Sequence, residues 1–428
     1  MTPQGIDAIA LSIPVFFALI GLELALDRRE RRREGRAVYR ANDSINDLAC
    51  GTLQQLVGLF AKTVLFAGYV LIFEKVAVWS LDPGRFSHWL VAFLGVDFCY
   101  YWFHRASHEI NFLWAAHIVH HQSEEYNLSV ALRQSAVQQF FSMPFYWPLA
   151  ALGVPPLMYL AAEAVDTLYQ FWIHTRKIGR LGFLESFLNT PSHHRVHHGS
   201  NEKYIDRNHA GTLIVWDKMF GTFQREEEEP AYGVTRPLAS WNPLWANVHY
   251  YVELVSVARR TRRWRDKVRI FLAPPGWRPA DVPFEPVAYS PVDGRRYDSR
   301  PPRGLGVLAF VQFLGAMGAV IALLFAAGRF GKPVEIALAL FAVWGLTNVG
   351  ALHDRRPWLP VSEAARWLAT ITATAALAPD GARTAAVAAA TVAGVLSVTP
   401  IAARRRDFDL PSGSPLPVVT AAGDEVRA

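Results

Sequence analysis

Nine apolar runs divide the chain, at residues 6–26, 51–73, 86–103, 136–153, 154–173, 305–327, 333–352, 363–378 and 384–403. A helix that crosses a bilayer needs about 20 mostly apolar residues. Nine such runs are too many for the buried helices of one soluble domain. The pattern predicts an all-α protein, a polytopic integral-membrane helical bundle, and sets aside the helical core of a large soluble enzyme. The first run does not read as a cleavable signal: its basic residues follow the apolar stretch, and no small-residue cleavage site is evident.

Charge placement orients the bundle. Arg28, Arg29, Arg31, Arg32, Arg33, Arg36 and Arg40 follow the first run, and basic loops stay cytoplasmic. Counting forward puts 74–85 outside, with only Lys75 and Arg85. Residues 104–135 and 174–304 then fall inside, provided that 136–173 is a hairpin entering and leaving on one face. Arg355, Arg356 and Arg404–Arg406 also come out cytoplasmic.

Five regions follow: an N-terminal membrane helix and basic loop (1–40), a catalytic membrane domain (41–225), a cytoplasmic or interfacial basic segment and linker (226–304), C-terminal membrane helices (305–403) and a polar tail (404–428). The third region holds the acidic run Glu226–Glu229 and a stretch with Arg259, Arg260, Arg262, Arg263, Arg265, Lys267 and Arg269. Trp264, Val268 and Phe271 interleave with those bases, a pattern shared by a helix on an anionic membrane surface and by a solvated helix face. Residues 273–303, rich in Pro and Gly, read as an irregular linker. The fourth region reads as a four-helix appendage without chemistry of its own.

Composition agrees with this division. Of 428 residues 51% are hydrophobic and 19% charged, below the quarter or so usual for soluble chains. The length would otherwise suggest about three soluble domains. Two cysteines, Cys50 and Cys99, exclude a disulfide scaffold. A net charge of +6, from 43 basic and 37 acidic residues, does not argue for nucleic acid, because the arginines gather on one predicted membrane face.

Eleven of the 14 histidines lie between residues 104 and 209. His104 and His108 are spaced i,i+4 at the end of the third run, so a helix puts both imidazoles on one face. His117, His120 and His121 form a second such face, and His194, His197 and His198 repeat its spacing after His193. His174 and His209 flank the last group. His88, His249 and His353 stand alone and read as structural. Crowded imidazolium groups repel, so the arrangement makes sense when metal replaces the protons. Eight or more imidazoles exceed what one tetrahedral zinc needs and suit two metals in an all-nitrogen shell. Residue type leaves iron, copper, nickel and zinc open.

Missing motifs narrow the class. No HExxH helix occurs, since Phe112 stands where its second histidine would be. No ExxH occurs either, which excludes the carboxylate-rich di-iron bundle. Asp97 shares a helix face with Tyr101, His104 and His108, and Glu163, Asp166, Gln170 and His174 form a similar stripe. Ionisable groups within a span are costly and face a cavity or partner. Asp97 and Asp166 are therefore expected to accept from metal-bound imidazoles, or to bond structurally between helices. Glu109 is a candidate proton-handling residue. Phe140, Phe141, Phe145, Tyr146 and Trp147 either line a lipid cavity beneath the histidines or pack as ordinary helix residues.

The order HxxxH, HxxHH, HxxHH resembles the fatty acid hydroxylase/sterol desaturase superfamily. Within it, HRASHEINFLWAAHIVHHQSEEYNLSVALRQS (104–135), FWIHT (171–175), SHHRVHHGSN (192–201) and YIDRNHAGTLIVWDKMFGTF (204–223) resemble the alkylglycerol monooxygenase branch. The resemblance covers about residues 40–300. It implies a cytoplasmic histidine-rich di-metal cap holding two Fe ions, activation of O2, and hydroxylation of an alkyl chain of a membrane lipid, with cleavage of an ether bond when the hydroxylated carbon adjoins the ether oxygen. It also implies His104, His108, His117, His120, His121, His194, His197 and His198 as metal ligands, with His174 and His193 as additions and His209 undecided. Tetrahydrobiopterin enters by the same resemblance; no pterin fingerprint is evident, so the electron donor stays open. Zinc displaces iron readily during overexpression. The alternatives are a sterol, fatty acid or carotenoid hydroxylase or desaturase on the same site, a membrane zinc hydrolase, and a metal transporter. The expected setting is a bacterial inner membrane or an endoplasmic-reticulum-type membrane, with the oligomeric state undetermined.

Overall fold

The computed structural model describes residues 8–34, 38–287, 289–326, 328–408, 417–420 and 425–426. Fourteen α-helices occur among them: α1 (Ala8–Glu34), α2 (Ala41–Val76), α3 (Phe86–Glu109), α4 (Asn111–His121), α5 (Gln138–Ala151), α6 (Pro156–Trp172), α7 (Pro191–His197), α8 (Val215–Phe220), α9 (Pro243–Arg260), α10 (Trp264–Leu272), α11 (Gly306–Ala326), α12 (Lys332–His353), α13 (Leu359–Leu377) and α14 (Asp380–Ala403). Among the described residues each apolar run falls mainly on a helix, as the hydrophobic pattern requires. Four of them, α2, α11, α12 and α14, are long and apolar enough to cross a membrane by length and composition.

The remaining runs fall short for identifiable reasons. Helix α1 carries arginines in its last turn, α3 carries Asp97 and three histidines, and α13 carries the buried pair Glu363–Arg366. Helices α5 and α6 have 14 and 17 residues, roughly 21 and 26 Å at 1.5 Å per residue, against a hydrocarbon core of about 30 Å. Such lengths suit a hairpin that enters and leaves on one side. Its turn requires Gly153 at φ 87°, because a Cβ there would lie 2.1 Å from the Trp79 carbonyl oxygen.

Helices α2, α3, α5 and α6 enclose an apolar core of Tyr69, Val96, Leu149, Met158 and Tyr159, with Tyr69 stacked on Tyr159 at 4.4 Å. Helices α11 and α12 dock on α2 through Ala49, Phe313, Leu346 and Val349 and, further along, Leu56, Val320 and Leu323.

At one end of this bundle the helices meet a polar layer. Helix α2 begins ten residues before its apolar run because Asp43, Asn46 and Asp47 are buried there. Asn46 donates to the Trp241 carbonyl at 2.6 Å, Ser240 donates to Asp354, and Ser299 donates to the His353 carbonyl. Arg40 pairs with Glu125 at 2.7 Å. The expected irregular linker and polar tail contribute regular structure here. Strand β1 (Arg295–Tyr297) pairs antiparallel with β2 (Val418–Thr420), which pairs with β3 (Glu425–Val426). A three-residue strand is too short for its alternation to register in sequence.

Candidate metal centre

Three short structural decisions assemble the site. Helix α3 stops at Glu109, the extended Ile110 (φ −123°) turns the chain, and α4 starts at once. The first two histidine motifs thereby sit on two helices that meet at a corner, held by Asn111, whose side-chain amide donates to the Ile270 carbonyl. Helix α7 opens with Pro191 in its first turn, where the missing N–H costs nothing, and is only seven residues long. His174 follows the end of α6 directly.

Nine imidazoles converge in two groups. One ring nitrogen from each of His104, His108, His117, His121 and His197 lies within 4.8 Å of the others, and the same holds for His120, His174, His194 and His198. All nine are buried. The His104 and His117 Nε2 atoms are 2.9 Å apart, those of His121 and His117 3.1 Å, those of His120 and His174 3.2 Å, and those of His174 and His194 2.9 Å. The groups touch through His121 and His198, whose ring centroids are 4.4 Å apart. Neither group comes from one motif: the first mixes α3, α4 and α7, the second α4, α7 and the end of α6.

Electrostatics fit this set to metal. Burial pushes His117 and His174 down to about 4, from an ordinary 6.5. It holds His194, His197 and His198 well below the ordinary value too, reinforced by neighbouring imidazoles. The rings are neutral at pH 7, with lone pairs free. His108 Nε2, His197 Nε2, His198 Nε2 and His194 Nδ1 are buried without a hydrogen-bond partner. A buried polar atom left unpaired costs about 1–3 kcal/mol, and several at one point are accounted for by cations.

The far ring nitrogens are tied down mostly by main chain. His104 Nδ1–H donates to the His209 carbonyl at 2.7 Å, His120 to that of Arg133 at 2.9 Å, His174 to that of Gln170 at 2.7 Å and His197 to that of Arg207 at 2.9 Å. His117 uses the Gln138 side-chain oxygen at 2.9 Å, and His108 faces Asp206 at 3.3 Å. These bonds fix tautomer and ring orientation, leaving Nε2 toward the centre.

The carboxylates expected to do this work are placed otherwise. Asp97 accepts from the Thr212 N–H at 2.7 Å, the Leu213 N–H and the Trp216 indole. Asp166 accepts from the Thr212 hydroxyl at 2.7 Å and from Gln170. Both therefore anchor the 210–216 segment instead of an imidazole, because backbone carbonyls already satisfy the rings. Glu109 is half-exposed and ion-paired with Arg105 at 2.8 Å, outside both groups.

His193 also lies outside them. Its Nδ1 meets the Leu188 carbonyl at 3.2 Å and its ring packs on Phe223; on a seven-residue helix its neighbour His194 points inward, so His193 cannot. His209 is buried beside the first group, 5.0 Å from His108 between centroids, with Nε2 on the Asp206 carbonyl. The aromatics expected beneath the histidines disperse. Tyr146 is buried, Phe145 packs on Phe103 and Phe141 on Phe112, while Phe140 and Trp147 point outward.

Several site residues carry no sequence signal. Arg133 is fully buried; it donates to the Val119 carbonyl at 2.6 Å, to Gln122 at 2.9 Å and to Asp47 at 3.1 Å. Arg195 makes a bidentate pair with Glu226 at 2.6 and 2.7 Å while donating to the Thr175 and Ile178 carbonyls. The acidic run thus closes over the third histidine motif. Asp217 accepts from the His209 and Ala210 N–H groups, both at 2.8 Å. Only the alternation of charge with histidine in SHHRVHH hinted at any of these.

The fatty acid hydroxylase family matches residues 89–222, the segment that holds all nine converging histidines. The human alkylglycerol monooxygenase is 39% identical over 366 residues, covering 85% of this chain and 81% of the human one. That of Danio rerio is 39% identical over 346 residues, 80% and 77% of the two chains. The ornithine lipid hydroxylase OlsE of Rhizobium tropici is 26% identical over 229 residues, 51% and 66%. No solved structure matches the chain. Identity at this level across most of both chains, with the histidine segment inside it, shows that the chain belongs to the alkylglycerol monooxygenase family, membrane lipid monooxygenases built on the fatty acid hydroxylase domain.

Proposed function

We propose that the nine imidazoles hold two iron ions and that the protein uses O2 to hydroxylate the alkyl chain of a membrane lipid, with an alkylglycerol ether as substrate. The observation that carries this reading is the pair of converging, buried, neutral imidazole groups with ring nitrogens left unpartnered. The chemistry supplied by a bound iron pair is activation of O2 for attack on an unactivated C–H bond. His104, His108, His117, His121 and His197 would hold one ion, and His120, His174, His194 and His198 the other. His193, Glu109, Asp97 and Asp166, also expected at the site, take supporting positions in this reading: Asp97 and Asp166 hold the 210–216 segment, and Glu109 holds Arg105.

The chain's own residues do the rest. Carbonyls of Gln170, Arg133, Arg207 and His209 hold the rings, and burial excludes the water that would quench a strong oxidant. One oxygen atom inserted at the carbon beside an ether oxygen gives a hemiacetal, which separates into an aldehyde and an alcohol. The other leaves as water, with two electrons and two protons from a separate reductant, for which a tetrahydrobiopterin is the candidate. The positive-inside pattern supports a cytoplasmic site: the ends of α2 and α12 near the polar layer carry Arg40, Arg355 and Arg356. A desaturase or hydroxylase of another lipid would use the same ligands.

Iron-loaded membranes incubated with alkylglycerols and other lipids under labelled O2 test the reading. Label in the aldehyde released from an alkylglycerol, or in the hydroxyl of another hydroxylated lipid, absent from His120→Ala and His197→Ala proteins that have lost part of their metal, is expected. Full turnover in either variant, or equal activity without O2 and with zinc alone, overturns it.

A further inference from the structure

The basic stretch at residues 259–269 is not used by the metal site, and its placement gives it a task. Helix α9 starts at the level where the spanning helices end. The Trp241 carbonyl just before it accepts from Asn46 in the first turns of α2, and Gly350 near the end of α12 lies against the same carbonyl, 2.4 Å from where a Cβ would be. Helix α10 folds back on α9: Ile270 packs with Leu254 and Val257 of α9 and with Ala115 and Ile118 of α4. Its end is pinned to the corner between α3 and α4, where the Asn111 N–H donates to the Ala273 carbonyl at 2.9 Å. The α9–α10 pair therefore lies at the boundary between spanning helices and polar layer.

The outward faces are apolar and basic together. On α10, Trp264, Val268 and Leu272, at i, i+4 and i+8, are 69%, 54% and 66% exposed. Val248, Val252 and Val255 form an exposed stripe on α9. Only some of the charges beside them are used inside the fold. Lys267 caps α9 by donating to the Ala258 and Arg259 carbonyls, Arg260 pairs with Glu285, and Asp281 holds Thr261 and the Arg262 N–H. Arg259, Arg263, Arg265 and Arg269 have no ion-pair partner among the described residues. Four guanidinium groups without a carboxylate partner, two of them lying over the Trp264 and Trp277 rings, flank a Trp–Val–Leu stripe and match an anionic lipid surface in both chemistry and shape: apolar side chains reach the acyl boundary and arginines meet phosphates.

We propose that α9 and α10 form an interfacial hairpin that seats on anionic phospholipid headgroups and ties the α3–α4 corner, which carries five of the histidines, to the membrane surface. The inference uses the membrane character of the chain and not its chemistry, so it stands or falls apart from the oxygenase reading.

The test reads position. Cys50 and Cys99 are buried, so a nitroxide attached to Val268→Cys or to Glu202→Cys, a water-facing control, labels the full-length protein at one place. The samples are vesicles of phosphatidylcholine alone or with a minority of phosphatidylglycerol. At Val268→Cys, collision with lipid-dissolved O2 is expected to exceed collision with a water-soluble nickel chelate several-fold over the Glu202→Cys ratio. The excess should grow with phosphatidylglycerol, and replacing Arg259, Arg263, Arg265 and Arg269 with Gln should remove that growth. A Val268→Cys label as open to nickel as Glu202→Cys in both lipids overturns the proposal. So does a label shielded from both probes, which would put protein on this face.

Discussion

The His120 ring donates its Nδ1–H to the main-chain carbonyl of Arg133 at 2.9 Å, while the Arg133 guanidinium reaches back to the carbonyl of Val119, one residue before His120. Arg133 thus holds one histidine from both sides and ties it to Asp47 on α2. Removing the charge leaves Asp47 buried and unpaired, a loss of about 3–5 kcal/mol. Arg133→Met is expected to unfold at lower temperature and to bind less metal. Arg133→Lys keeps the charge but not the planar fork, and should recover stability more than metal content. Thermal unfolding and metal analysis of the two variants together check this.

The split of the histidines predicts separable metal losses. His197→Ala should empty the five-histidine group first and His120→Ala the four-histidine group first, so each single variant keeps a fraction of the metal and the double variant none. Gln138→Ala removes only the acceptor for His117 and should weaken metal binding about 10–100-fold, the usual effect of losing a ligand's supporting partner. Equal and complete loss in both histidine variants would show that the groups fill only together.

Acid should act through the same rings. His117 and His174 titrate at about 4 in the folded chain against 6.5 when unfolded, so the unfolded state binds more protons between those values. Stability is therefore fully present above pH 6.5 and falls as pH drops from 6.5 toward 4. Metal-free protein should lose unfolding temperature steadily across that window. Metal-loaded protein should resist until protons displace the ions, a difference visible in parallel thermal scans.

The C-terminal helices make a contrasting prediction. Glu363 is buried and accepts from Arg366, Trp367, Gln312, Ser397 and Asn348, joining α11, α12, α13 and α14. Glu363→Ala strands the Arg366 charge and should cost about 3–5 kcal/mol. Glu363→Leu combined with Arg366→Met should recover only part of it, because Trp367, Gln312, Ser397 and Asn348 still lose their acceptor. Metal content per folded molecule should stay unchanged in both, since none of the hydrogen bonds at Glu363 reaches a histidine of either group; a matching loss of metal would show that the C-terminal helices support the site.

The helical class and membrane character were legible in the chain because apolar runs near 20 residues have few other uses. The histidines that converge were legible too, except for their division: spacing at i, i+3 and i+4 puts rings on one helix face but does not say which helices will meet. Ile110 and the short α7 decided that, pairing His104 with His117 and His197, and His120 with His174 and His194. The family resemblance also added His193 to the ligands, whereas its ring lies against the Leu188 carbonyl and Phe223, because a seven-residue helix can turn only part of its circumference toward the centre. Asp97 and Asp166 share helix faces with histidines, yet the tertiary structure gave those rings to carbonyls of distant segments. A backbone acceptor has no residue type and leaves no trace in a sequence. What the residues alone determined was the kind of chemistry and the stretch of chain that carries it. Which nitrogens face one another, and what aims them, came from long-range packing.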